Sequence, residues 1–288
     1  MSLPPYGSLL DSLRGVRWPA ARRVAGATLG AHPSRLRGNS SEFSEFRPYR
    51  QGDDPRRIDW RLLARSDRAY VRLTTDRATL RTHLVVDASA SMAFPMPELT
   101  KWRRACEIAV GLAAVAHAEG DPIGLTIATE APVLLAPRAR RSAIVEMIRA
   151  LDAAAPTGGT PLAPLLASAP AQRIAVVTDL LGDADELLVA ARLRMAAGHE
   201  VTVVHVVAGE EVDPPGAALL AVDPEEPTLR RTLDAATRAE YVRRYSTWLT
   251  ETADAYRAAG VRYVRIDAAE PASKLVRRIV RDVTARAG

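Results

Sequence analysis

From about residue 83 onward the sequence predicts an α/β fold, a doubly wound, mostly parallel sheet flanked by helices. Three observations carry the prediction. Short apolar runs alternate with longer amphipathic stretches, the pattern of buried strands joined by crossover helices. Glycines stand just beyond two of the helical stretches, at Gly120 and Gly198, where a helix stop is expected. Two of the apolar runs end on a carboxylate, Asp87 and Asp179, at the strand ends where open α/β sheets build their sites.

Taken in order, "HLVVDA" reads as a buried strand and "KWRRACEIAVGLAAVAHAEG" as a helix stopped by Gly120. "IGLTIAT" and "APVLLAP" are too close for a crossover and read as a hairpin. "RSAIVEMIRALDAA" is helical, with Ser142 at its N-cap. After "PTGGTPLAPLLASA", whose "TGGT" lies in a Gly-rich loop, comes the strand "RIAVVTDL". "DADELLVAARLRMAAG" has acidic residues in its first turn and reads as a helix; "EVTVVHVV" is a strand. A long helix, "TLDAATRAEYVRRYSTWLTETADAYRAAG", a last strand, "VRYVRI", and a last helix, "PASKLVRRIVRDVTARA", complete the pattern. Cys106 falls on an apolar helix face and His83 and His205 fall in strands, so all three are expected to be packed.

The first 80 residues do not follow this rhythm. They divide the chain into an N-terminal module, 1–80, and the α/β domain, 81–288. The module holds Phe43, Phe46, Tyr49, Trp60 and Tyr70 among arginines, and "AYVRLTTD" reads as a short pairing strand. Asp53, Asp54 and Asp59 are expected to pair with Arg56, Arg57 and Arg65, with Trp60 buried against the α/β domain as the anchor of the module.

Composition narrows the function classes. The 288 residues are 48% hydrophobic and 25% charged, which is globular, and the net charge of +5 is modest for a chain this long. Arginine supplies nearly all the positive charge, lysine standing only at 101 and 274. Nucleic acid is therefore not the expected partner. A single cysteine excludes an internal disulfide framework. No run reaches the roughly 18–20 apolar residues of a membrane helix, and no charged and then apolar leader opens the chain. No membrane association is expected, and the expected location is the cytoplasm. The sequence lacks the P-loop, the G-x-S-x-G elbow and H-E-x-x-H. An aspartyl phosphatase would want Asp where Ser89 stands. The chain is expected not to be an enzyme.

Five oxygen-bearing side chains are expected to converge at the strand ends: Asp87, Ser89 and Ser91 in "DASAS", Thr160 in "TGGT", and Asp179 in "VTD". An all-oxygen set suits a hard cation, Mg²⁺ first, with Mn²⁺ or Ca²⁺ also compatible. Hydroxyl ligands leave such a cation short of negative charge, so it should seek an Asp or Glu from a partner.

These three parts, in this order, resemble the metal-ion-dependent adhesion site of von Willebrand factor A-type domains. The upstream stretch "EFSEFRPYRQGDDPRRIDWRLLARSDRAYVR" and the downstream "LLAVDPEEPTLRRTLDAATRAEYVRRY" resemble the bacterial family called domain of unknown function 58. The signature core comprises Arg47, Tyr49, Gly52, Asp53, Asp54, Arg56, Arg57, Ile58, Asp59, Trp60, Ala64 and Arg65. The resemblance implies a von Willebrand factor A-like fold. It also implies a non-enzymatic, metal-dependent binding role beside a MoxR-type AAA+ ATPase or its client, in protein maturation or complex assembly. Two alternatives stand beside it: a metal-dependent phosphoesterase, and a nucleic-acid-binding module using residues 43–72.

Overall fold

The computed structural model describes residues 6–20, 29–33, 43–51, 53, 55, 58–66, 68–74, 77–215, 219–222 and 228–281. They fall into two units, one of residues 19–80 and one of residues up to 18 together with 81 onward. The chain opens with α1 (Gly7–Ser12). The smaller unit holds β1 (Leu29–Pro33), β2 (Phe43–Pro48), α2 (Trp60–Ser66), β3 (Tyr70–Thr74) and β4 (Arg77–Ala78). It contains two antiparallel pairs, β1 with β4 and β2 with β3. The strand expected at "AYVRLTTD" is thus β3, and its partner is the Phe-containing stretch upstream.

The larger unit carries the predicted sheet. Its strands are β5 (Thr82–Asp87), β6 (Ile123–Ala128), β7 (Val133–Arg138), β8 (Arg173–Thr178), β9 (Glu200–Val207) and, after the hairpin of β10 (Leu219–Val222) and β11 (Arg230–Leu233), β12 (Arg262–Asp267). They lie in the order β12, β9, β8, β5, β6, β7, all parallel except the edge strand β7. The chain runs from β5 outward to β6 and β7, then returns to place β8 on the other side of β5. The direction of winding therefore reverses between β5 and β8, and a crevice opens at their carboxyl ends.

Successive strand residues face opposite sides of a sheet, and here each side has its own core. Leu84 and Val86 of β5 pack with Ile108 and Leu112 of α3 (Thr100–Ala118) and with Leu275 and Ile279 of α9 (Ala272–Arg281). Val85 faces the other way, onto Leu166 of α5 (Leu162–Ser168), Leu187 of α6 (Ala184–Ala196) and Tyr256 of α8 (Ala235–Ala258). Between these lie α4 (Ala143–Ala153), on the first side, and the one-turn α7 (Gly209–Val212). Beyond the Gly-rich loop at 157–160 the chain forms α5, too short for sequence periodicity to declare. Cys106, His83 and His205 are buried as expected. Burial pulls both imidazoles down to about 4. No helix of the described residues is long and apolar enough to cross a membrane.

The boundary at residue 80 needs one correction. Residues 6–18 belong with the α/β unit, because Tyr6, Leu13 and Trp18 are buried in its first core. Arg277 donates to the Ser12 carbonyl. The Arg173 guanidinium, itself paired with Glu200 at 3.1 Å, lies 4.4 Å from the centroid of the Trp18 ring, a cation–π contact removed from solvent. Trp18→Ala should therefore lower stability by about 3–5 kcal/mol, the range for losing a large core aromatic. Urea unfolding checks this, and an unchanged midpoint would place residues 6–18 outside the core.

Candidate metal centre

Asp87 is the last residue of β5, and its carboxylate is tied on both oxygens. The Ser89 backbone N–H donates to Oδ1 at 2.9 Å, and the Thr178 hydroxyl donates to Oδ2 at 2.6 Å. The second bond links the ends of β5 and β8. Ser89 and Ser91 follow, the latter in a 3₁₀ turn over Ala90–Ala93, and their hydroxyl oxygens are 3.1 Å apart. Oxygens on adjacent corners of a Mg²⁺ octahedron are separated by about 3 Å, so one cation can accept both.

The "TGGT" loop brings the third hydroxyl. Gly158 has φ of +143°, a conformation L side chains rarely adopt. A Cβ on Gly159 would meet the Ala128 carbonyl at 2.8 Å. The two glycines thus let the loop lie directly on the ends of β5 and β6, bonded through Gly158 N to Ala88 O and Thr160 N to Ala128 O, both at 3.3 Å. The Thr160 hydroxyl donates to the Thr129 carbonyl at 2.9 Å. That bond uses its proton and leaves its lone pairs for an acceptor role.

Asp87, Ser89, Ser91 and Thr160 line one open cavity of about 210 Å³, with Gly159, Leu181 and Asp183 also in its walls. Asp179 lies behind. It is only 2% exposed and is held by Lys101, whose Nζ donates to Asp179 Oδ2 at 2.8 Å and to Glu211 Oε1 at 2.6 Å. Lys101 is wholly buried. Burial pulls its ammonium down, but Asp179 and Glu211 outweigh that and the net shift is upward. Glu211 is pushed up by its own burial despite Lys101. Removing Lys101 would leave two buried carboxylates without their counter-charge, at a cost of about 3–5 kcal/mol.

Of the five expected residues, four therefore share the cavity and one stands behind it. Lys101, Glu211, Thr178 and Asp183 escaped the sequence reading. Lys101 opens a helical stretch with no motif around it, and Glu211 sits more than 100 residues away with no motif to mark it. Asp183 looked like one of several acids in a first helical turn, yet its Oδ2 accepts from Ala163 N at 3.1 Å and it faces the cavity. The lysine's rarity in this chain was the one available signal.

The residues fit a hard cation. The donors are hydroxyl and carboxylate oxygens, and among the described residues no group of three or more His, Cys, Asp or Glu is placed to hold a metal. Any cation here must lean on the hydroxyls.

Asp53 pairs with Arg47 at 2.7 Å, and its other oxygen accepts from Arg50 N at 2.8 Å. The Arg50 N–H first and the Arg47 side chain second hold its carboxyl below the usual range. The Tyr49 backbone N–H bonds Ala69 O at 2.8 Å. Asp59 caps α2 by accepting from Leu62 N at 2.9 Å, and Arg65 lies in the last turn of that helix. Trp60 is the first residue of α2, whose start the Asp59 cap fixes. Asp54, Arg56 and Arg57 lie outside the described residues.

The chain belongs to the family described as protein of unknown function DUF58, whose model matches residues 45–250. It is 28% identical over 264 residues to an uncharacterized protein of Mycobacterium tuberculosis, covering 88% of this chain and 82% of the relative. Among solved structures it is similar to the conserved hypothetical protein BatB from Bacteroides thetaiotaomicron, with 18% identity, a TM-score of 0.44 and coverage of 72% of this chain and 99% of the other. An aerotolerance-related membrane protein from Bacteroides fragilis gives 18% identity, a TM-score of 0.47 and the same coverage.

The buried Asp87 carboxyl is pushed up to about 6, first by desolvation and then by the nearby charge of Asp179, against the bonds from Thr178 and Ser89. In the unfolded chain it returns to about 4. A pKa raised on folding contributes stability that is present below about pH 4 and lost as pH rises through about 6. In EDTA, Asp87→Asn should therefore show a smaller decline in unfolding free energy over that window than the native chain. Equal slopes would assign the titration to another group.

Proposed function

We propose that this chain is a non-enzymatic, metal-dependent binding protein that captures an acidic side chain of a partner. The observation that supports the reading best is the convergence of three hydroxyls and Asp87 on one open cavity, with Asp179 fixed behind it. Ser89, Ser91 and Thr160 would hold the cation, Asp87 would hold it or its water, and Asp179 would act from behind. Mg²⁺ fits the donor set, as do Mn²⁺ and Ca²⁺. When bound, the cation supplies a positive charge with an unfilled position, which a carboxylate completes through a strong charge-assisted contact.

The chain's own residues do the rest. The Thr178–Asp87 bond fixes the strand ends, and the glycines hold Thr160 against them. Leu181 is exposed in the cavity wall, and exposed Phe94 and Met96 follow the Ser91 turn. The acidic residue of the partner is thus received beside an apolar rim, the composition of a protein-binding patch. With no P-loop in the sequence, energy for remodelling would come from another chain. A MoxR-type AAA+ ATPase, or its client, is the partner we assign. Trp60 and the arginines of the N-terminal unit offer a second contact surface there. Steep salt dependence on RNA or DNA would mark that surface as a nucleic-acid site instead.

Calorimetry should detect Mg²⁺ binding, assisted by acetate as a stand-in carboxylate, that drops at least about tenfold in Ser89→Ala/Ser91→Ala with the unfolding midpoint preserved. Equal binding by both proteins would overturn the assignment. Capture of the MoxR-type ATPase should require Mg²⁺ and fail in EDTA and in Thr160→Ala. Undiminished capture in both would leave an ordinary interface and no metal bridge.

A further inference from the structure

A wholly buried lysine needs a physical reason. Lys101 stands in the first turn of α3, the end of a helix where the macrodipole disfavours a cation. Its neighbours Trp102, Ala105 and Cys106 are core residues. Nothing on its own helix favours the ammonium; the Phe94 ring lies 5.8 Å from it, and its charged partners are Asp179 and Glu211.

Those two carboxylates play unequal parts. Glu211 is anchored: its Oε2 accepts from Ala208 N at 2.8 Å, at the start of its own helix. Through Oε1 it holds the lysine at 2.6 Å. Asp179 is held on both oxygens, Oδ2 by Lys101 and Oδ1 by Leu181 N at 3.2 Å. Lys101, fixed from behind by Glu211, cannot follow Asp179 toward the cavity, and Asp179 cannot move there without leaving a buried ammonium half paired. The negative charge of Asp179 is spent on Lys101 and is withheld from the cavity.

We infer that Lys101 is a positioning residue that sets the cation affinity of this site, holding Asp179 behind the cavity so that a cation and a partner carboxylate bind together and neither binds well alone. The inference rests on the metal-binding reading above. It makes the partner's acid part of the site: the position Asp179 is kept from filling is the one the partner takes.

The test is Mg²⁺ calorimetry with and without acetate on three proteins. The native chain should bind Mg²⁺ weakly and gain affinity with acetate. Lys101→Met/Glu211→Gln removes one positive and one negative charge and frees Asp179. It should bind Mg²⁺ alone at least about tenfold more tightly, since cation affinity follows the number of charged ligands, and it should no longer respond to acetate. Glu211→Gln alone keeps the Lys101–Asp179 bond, so its affinity should be unchanged or weaker, with the acetate response retained. A folded double variant that binds no more tightly than native overturns the inference. So does tighter binding by Glu211→Gln, which is read independently should the double variant not fold. A purely structural lysine would weaken both variants alike. No Mg²⁺ binding by the native chain even with acetate would instead count against the metal-binding reading itself.

Discussion

Charge buried at the ends of β5 and β8 is the constraint on which the rest of this molecule depends. Isolated carboxylates do not survive burial in ionised form without partners. Asp87 and Asp179 close or follow the two central strands, side by side, where the winding reverses. Each is met by a different device. Asp87 receives Thr178 and Ser89 N, both local to the strand ends. Asp179 receives an ammonium from α3. Satisfying the two carboxylates therefore fixes the strand ends to one another and fixes α3 over them.

That arrangement connects the crevice to the far side of the unit. Lys101 passes the constraint to Glu211, and Glu211 lies against α8, where Tyr245 Oη approaches its Oε2 at 3.5 Å. Tyr245 stacks on Tyr241 and tilts against Trp248, which meets His205 of β9 edge-on. The segment from the strand ends to α8 is thus a continuous run of packed polar and aromatic groups.

The sheet was legible in the sequence because its signal is local. "HLVVDA", "RIAVVTDL" and "EVTVVHVV" are apolar throughout, as strands covered on both faces must be, and the glycines at 120 and 198 mark real helix ends with positive φ. Asp87, Ser89, Ser91 and Thr160 were legible because strand register and a Gly-rich loop place them without tertiary information. What was not legible is long-range. Residues 6–18 are apolar enough to pack, but only the fold shows that Trp18 meets Arg173. Lys101 and Glu211 are ordinary charged residues until α3 and α7 bring them together.

The central claim is that hydroxyls and Asp87, without direct help from Asp179, make a cation site that needs an outside carboxylate. Anomalous diffraction from crystals soaked in Mn²⁺ and acetate addresses it most directly. The expected result is one Mn²⁺ in the cavity of Asp87, Ser89, Ser91 and Thr160, carrying acetate, with Asp179 still bonded to Lys101. Mn²⁺ bound elsewhere, or bound directly by Asp179 with Lys101 displaced, would contradict it.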